Sequence, residues 1–206
     1  MTRAIRSSVM TSPFAARYDS GAVRPAPGRR QALIPMPSPR VLLPAGLIEA
    51  RVHELAAAID RDVPTPLHVI GVLTGAFVFV ADLVRALRGP LTVDFIAASS
   101  YAGTSTSGQV RLLQDTTLPL DGRDVLLVED IVDTGLTLQA LQDHLRARAP
   151  RSLRTVALLD KPSRRRAGVR LDYVGFTIPD VFVVGYGLDY EGRYRNLPGV
   201  AELADE

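Results

Sequence analysis

Apolar residues recur with a helical or a strand-like period from residue 41 onward and with neither before it. In "GLIEARVHELAAAIDR", Ile48, Val52, Leu55 and Ile59 fall on one helical face, which predicts an amphipathic helix. "HVIGVL" (68–73) is a short apolar run that closes at Thr74-Gly75-Ala76, and "FVFVADLVRAL" then predicts a helix apolar almost all round. "TVDFIAA" (92–98) reads as a strand, "VRLLQD" as a returning strand and "DVLLVE" (124–129) as a buried one. "LTLQALQDHLRARA" carries Leu138, Leu141 and Leu145 on one face and stops at Pro150. "RTVALLD" (154–160), "DYVGF" and "VFVVG" (181–185) complete the strands. Apolar strands alternating with helices predict an α/β fold whose parallel sheet is covered on both faces.

Residues 1–39 have no sustained period, are rich in Arg, Ser and Pro, and hold one acid, Asp19. They read as a disordered extension ahead of a single domain at 40–206. An Arg- and Ser-rich, acid-poor start also resembles an organelle transit peptide, although its prolines oppose an amphipathic helix. "SSYAGTSTSGQ" (99–109) has the composition of a flexible loop. The 206 residues, 47% hydrophobic and 22% charged, suffice for one ordinary core. Without cysteine there is no disulfide framework or thiol nucleophile, and a reducing cytoplasm is the expected location. His53, His68 and His144 lie too far apart to suggest a His-based metal site. No apolar stretch is long enough for a bilayer span, and a net charge of +2 with interleaved signs does not indicate a nucleic-acid surface.

The chemistry concentrates in "VLLVEDIVDTGLTL" (125–138), where an apolar strand runs into Glu129 and Asp130. In open α/β sheets, ligands bind beyond the carboxyl ends of the strands. Two acids buried there without partners would be costly, so they should face a crevice and a cation or polar ligand. "DTGLT" then supplies a glycine for close backbone approach and two hydroxyls at a helix start, where free N–H groups and the helix dipole favour an anion. It is not a P-loop, since GxxxxGK[ST] is absent. Vicinal acids beside a phosphate nest suit a sugar phosphate, the acids taking the ribose diol and its Mg²⁺. The bland alternative is a solvated strand end with a Ser/Thr helix cap.

This stretch resembles the phosphoribosyl-diphosphate (PRPP) signature of the type I phosphoribosyltransferases. "GVLTGAFVFVADLVRAL", "VDFIAASSY", "LLDKPSRR" and "DYVGFTIPDVFVVGYGLDYEGRYRNLPGV" extend the resemblance over residues 41–203, toward the hypoxanthine(-guanine) branch. It implies a parallel sheet flanked by helices with a small hood built from terminal segments. The implied activity is purine salvage, moving a ribosyl 5-phosphate from PRPP to a 6-oxopurine with Mg²⁺ as cofactor, in a homodimer or homotetramer. By the same resemblance Glu129 and Asp130 hold the ribose hydroxyls and Mg²⁺, and Asp133 is the general base for the purine N7 proton. Ile131, Thr134, Gly135, Leu136 and Thr137 form the 5-phosphate loop. Thr74 and Gly75 form the pyrophosphate loop, with Arg195 as its cation. Lys161 reads the 6-oxo group, Phe182 stacks on the purine and the Val183 backbone reads its edge. Asp189 ligates a second Mg²⁺, and Ser100 and Tyr101 belong to a lid.

Lys161 is the only lysine in a chain with 24 Lys and Arg, and a compact ammonium reaches one exocyclic oxygen where a guanidinium fork would crowd it. Read blandly, Lys161 is solvated beside Arg164, Arg165 and Arg166, Phe182 is core, Asp189 is a turn residue and Arg195 lies on the surface. The triple Arg itself reads as solvated loop. Two positions depart from the family: a frequent Lys in the pyrophosphate loop is Thr74, and the common signature Lys is Leu136. Family members carry a strained, sometimes cis, peptide in the former loop and bind through its N–H groups, so the changes bear on PRPP affinity more than on reaction type. The alternatives are a PRPP-sensing regulator of the same fold and a transferase for another base, such as xanthine, adenine or a pyrimidine. The unhelical start argues against a regulator's DNA-binding domain. Lys161 argues against adenine, whose amino group offers it no acceptor.

Overall fold

Each helical stripe in the sequence has a sheet face to cover. The computed structural model describes residues 39–100 and 110–203. Helix α1 (Ala45–Asp62) buries Ile48, Val52, Leu55, Ala56 and Ile59, at the spacings of three and four that make one face. Helix α2 (Phe77–Ala86) buries Phe79, Val80 and Leu83, and α3 (Leu136–Arg146) buries Leu138, Leu141 and Leu145. The strands are β1 (Arg40–Leu43), β2 (Leu67–Leu73), β3 (Leu91–Ser100), β4 (Val110–Gln114), β5 (Asp124–Val132), β6 (Ser152–Asp160), β7 (Tyr173–Thr177), β8 (Val183–Val184) and β9 (Val200–Glu202).

The main sheet runs β4-β3-β2-β5-β6-β7, and its neighbours are parallel except β4, which lies antiparallel to β3. The "VRLLQD" strand therefore breaks the all-parallel expectation, because the return from Ser100 to Val110 is too short for the crossover that a parallel neighbour needs. "VFVVG" also differs from expectation. Its β8 leaves the main sheet and pairs with β9, which pairs with β1, giving a three-stranded hood in the order β1-β9-β8. Strands β1 and β9 are too short to show a period and owe their form to these partners.

The core has two layers. Leu126 and Val128 of β5 pack with α1 and α2, while Val125 and Leu127 pack with α3 on the other face. This alternation explains why β5 is apolar at every position from Val125 to Val128: both of its faces are covered there. The chain leaves β2 toward β3 on one side and β5 toward β6 on the other. The carboxyl ends of β2 and β5 therefore flank the switch point at which such sheets open a crevice. Among the described residues, no helix is long and apolar enough to cross a membrane.

His68 is among the polar side chains buried in this sheet, with Asp124 and Thr155. His68 on β2 is 1% exposed, and its Nδ1 lies 2.7 Å from Thr92 Oγ1 on β3. Burial holds its imidazole below the ordinary value of 6.5; Asp94 opposes the shift, and Arg123 and Arg148 reinforce it. The folded state therefore keeps His68 neutral at a pH where the unfolded chain binds a proton. Its contribution to stability is complete above 6.5 and declines as pH falls through and below that value. We expect wild type to lose stability as pH falls through and below 6.5 more steeply than His68→Asn, the difference being at most about 1.4 kcal/mol per pH unit. Denaturant unfolding of both proteins across this range measures it, and parallel curves would exclude His68 as the source.

Candidate active site

At the end of β2 the chain turns through Thr74, Gly75 and Ala76 into α2, with Phe77 N–H donating to Thr74 O at 3.2 Å and Ala76 N–H to Val72 O at 3.2 Å. The Leu73–Thr74 peptide is cis. Gly75 has no room for a side chain, since a Cβ there would run into the carboxylate of Asp130. From the other side, a Cβ on Gly187 would run into Gly75 O, and Gly187 adopts φ +101°, a conformation open mainly to glycine. Two glycines thus let β5, the turn after β2 and the hood loop meet at one point.

Strand β5 continues through Val132, so Glu129 and Asp130 lie on its last turns of pleat and not beyond its end. Asp130 Oδ1 accepts the N–H of Ile131 at 2.6 Å, and Glu129 Oε2 is buried without a partner. Burial first, and then the charge of Asp130, push the Glu129 carboxyl well above its ordinary range; burial also raises Asp130. Two carboxylates this close and this dry resist carrying two negative charges until a cation or donor reaches them.

Beyond them, Asp133, Thr134 and Gly135 turn the chain into α3. Gly135 caps the helix with φ +81°, the left-handed geometry that a side chain would oppose. A cavity of about 220 Å³ opens here, lined by Gly75, Glu129, Asp130, Asp133, Thr134 and Thr137 among others. The N–H groups of the first helical turn face no helical acceptor, so this end favours an anion.

An adjoining cavity of about 330 Å³ shares Gly75, Asp130, Ile131 and Asp133 with the first and adds Thr74, Lys161, Phe182, Val183, Asp189 and Arg195. Lys161 follows β6 and is 6% exposed, so the solvated alternative for it fails. Its ammonium donates to Val181 O at 2.6 Å. Phe182 is 50% exposed and meets Tyr190 edge-on at 5.7 Å, so it is a surface ring at the cavity and not core. Arg195 pairs with Asp189 at 2.6 Å and donates to Gly187 O at 2.7 Å, which fixes both charges at the hood side.

The fold therefore gathers most of the residues singled out in the sequence around two joined cavities. Leu136 is the exception: it is 40% exposed and lines neither. Tyr101 and the side chain of Ser100 lie outside the described residues. Sequence reasoning missed Leu188, which lines the larger cavity, and Tyr190, which backs Phe182. It also took the triple Arg as solvated. That holds for Arg164 and Arg166, which are exposed, although Arg164 also pairs with Asp133 at 2.6 Å; Arg165 is drawn in and pairs with Asp160. No period or spacing reveals such pairs, because their acids come from other elements. A separate cavity of about 300 Å³ between α1, α2 and the hood holds none of the signature residues; there Tyr186 donates to Asp82 at 2.6 Å.

Two carboxylates, a glycine-capped anion site and a Lys–Phe cleft on an open α/β sheet describe a nucleotide-forming transferase site. Residues 41–191 match the phosphoribosyl transferase domain family, and the chain belongs to that family. It is 47% identical to the hypoxanthine phosphoribosyltransferase of Salmonella typhimurium over 79% of this chain and 94% of that protein. It is 48% identical to the hypoxanthine-guanine phosphoribosyltransferase of Mycobacterium bovis over 86% of this chain and 92% of that protein. A crystal structure of a hypoxanthine-guanine phosphoribosyltransferase from Bacillus anthracis superposes with a TM-score of 0.76 at 46% identity, covering 80% of this chain and 98% of that one.

The close approach at Gly75 makes a definite demand. Gly75→Ala should displace the Asp130 carboxylate and lower transferase activity about 10²-fold, the scale expected for a misplaced site group. The melting temperature should change less than activity, since Gly75 itself belongs to neither core layer, although its neighbour Ala76 does. Activity and thermal unfolding of the variant check both parts, and a fully active Gly75→Ala would show that the site absorbs the methyl group.

Proposed function

We propose that this chain transfers the 5-phosphoribosyl group from PRPP to hypoxanthine and/or guanine, forming IMP or GMP and pyrophosphate in purine salvage. The observation that carries this reading is the single larger cavity shared by Asp133, Lys161, Phe182, Asp189 and Arg195, opening onto the glycine-capped anion site. PRPP lies with its 5-phosphate at Thr134, Gly135 and Thr137 and its ribose over Glu129 and Asp130. Its diphosphate reaches Thr74, Gly75 and Arg195. The purine enters between Phe182 and the Asp133–Lys161 side, where Lys161 donates to the 6-oxo oxygen and the Val183 backbone reads the edge. Asp133 takes the purine proton as the bond to the ribose forms.

Mg²⁺ fits the hard carboxylate oxygens of Glu129 and Asp130, with Glu129 Oε2 buried and unpartnered, and Asp189, now paired with Arg195, would hold a second Mg²⁺. Among the described residues no cluster of three His, Cys, Asp or Glu can hold a metal by itself. When bound, Mg²⁺ assists departure of the diphosphate as a Lewis acid. Assembly as a homodimer or homotetramer and a cytoplasmic location belong to the same reading and rest on the family. So does the placement of the activity in residues 40–206.

Assay of the purified protein with PRPP, Mg²⁺ and each purine tests the assignment. Turnover of hypoxanthine or guanine, lost on chelation of the metal, is expected; turnover of adenine alone would refute it. Lys161→Ala should raise KM for hypoxanthine roughly 10- to 100-fold, the worth of a charged hydrogen bond, and leave KM for PRPP little changed. Lys161→Arg should also be poor, because the longer fork displaces the ring. Unchanged purine constants in both variants would remove the base-recognition role. Removing residues 1–38 should leave activity and melting temperature nearly unchanged, and a large fall in either would place part of the domain in that segment.

A further inference from the structure

Arg164 stands outside the signature, yet it touches the residue assigned as general base. Its Nε lies 2.6 Å from Asp133 Oδ1, and its Nη1 lies 3.2 Å from Asp180 Oδ1. Asp180 Oδ1 is in turn 4.0 Å from Lys161 Nζ, and Lys161 also donates to the carbonyl of the next residue, Val181. The order Asp133–Arg164–Asp180–Lys161 alternates in sign, and its two ends, Asp133 and Lys161, line the larger cavity while Arg164 and Asp180 lie behind it. One guanidinium thus braces the acid–base group against the element that seats the base-reading lysine.

The brace is fixed at its root. Arg164 N–H donates to Lys161 O at 3.2 Å within a short 3-10 turn begun by Pro162. Arg166 and Ala167 N–H groups both donate to Thr134 O, at 2.9 and 3.1 Å. The loop is therefore tied at one end to the end of β6 and at the other to the phosphate loop. Asp133 Oδ1 is buried and meets Arg164 as a close ion pair without an aligned hydrogen bond, while the Asp133 side chain as a whole is 40% exposed and lines both cavities. With Oδ1 covered by Arg164, Oδ2 is the oxygen left to the cavity and to an incoming proton. A lone pair between half-exposed groups contributes little to stability, so such a brace serves geometry more than folding.

We propose that Arg164 is a positioning residue of the transfer reaction, holding the Asp133 carboxylate with Oδ2 toward the purine and coupling it through Asp180 to Lys161. The proposal rests on the reading of Asp133 as general base. Arginine is needed for the full effect because its planar fork spans two carboxylates, whereas an ammonium is a point charge.

A double-mutant cycle on the full chain tests it, read as the single-turnover rate of transfer to hypoxanthine with PRPP and Mg²⁺ saturating. Arg164→Gln should lower this rate about tenfold, part of the roughly 10²-fold or greater loss expected for Asp133→Asn, with KM for PRPP unchanged. Arg164→Lys should recover part of the loss. Asp180→Asn, which cuts the far end of the brace, should give a smaller fall in the same rate. In the Asp133→Asn background, Arg164→Gln should cost no more than about twofold, because nothing remains to position. A wild-type rate in Arg164→Gln, or losses that multiply in the double variant, would overturn the positioning role while leaving the base intact. A wild-type rate in Asp133→Asn would overturn the base assignment itself, and the proposal with it.

Discussion

The close packing of the Asp130 carboxylate on Gly75 is the constraint from which the rest of the site follows. The end of β5 can reach the turn after β2 only because Gly75 has no side chain, and the hood loop can reach that turn only because Gly187 has none. Remove either allowance and the three segments separate by at least the thickness of a methyl group. Asp130 would then no longer share a cavity with Asp189 and Arg195. The parallel sheet supplies the frame, since β2 and β5 are hydrogen-bonded neighbours at the switch point. The two apolar layers keep that frame fixed while its polar edge remains open.

Charge is distributed unevenly across this edge. Glu129 and Asp130 are held above their ordinary ranges by burial, so the centre of the site has an unmet demand for positive charge. The cations nearby are already engaged: Arg195 with Asp189, Arg164 with Asp133 and Asp180, Arg165 with Asp160. With Thr74 and Leu136 where the family often has Lys, the site leans on backbone N–H groups and arginine pairs where a free ammonium would otherwise stand. An anionic substrate with its cation suits such a site. It brings positive charge to the acids and gives the arginines a second acceptor.

The helical faces were legible because periodic burial writes itself into the order of residues. Ile48, Val52, Leu55 and Ile59 are buried as their spacing requires. The signature loop was legible because its parts are contiguous, with glycine and hydroxyl residues directly after two acids. Strands β1 and β9 were not, being three or four residues long and defined by pairing with each other and with β8. The antiparallel placement of β4 and the departure of β8 from the main sheet also escaped, because pairing direction depends on connection geometry and not on composition. The Arg-rich loop is largely exposed as read, but its ion pairs were not legible, since Asp133, Asp160 and Asp180 belong to three other segments.

The sequence by itself determined the alternation of strands and helices, the two-sided burial of β5, the anion-favouring turn and the resemblance that assigned roles to its residues. These are local properties, carried by period, turn chemistry and short contiguous motifs. Tertiary structure alone decided which distant residues share a cavity. It buried Lys161 but left Phe182 at the surface, and it turned Arg164 from a loop residue into the partner of Asp133. Those outcomes depend on ångström-scale distances between segments far apart in the chain, and such distances exist only once the two core layers have closed.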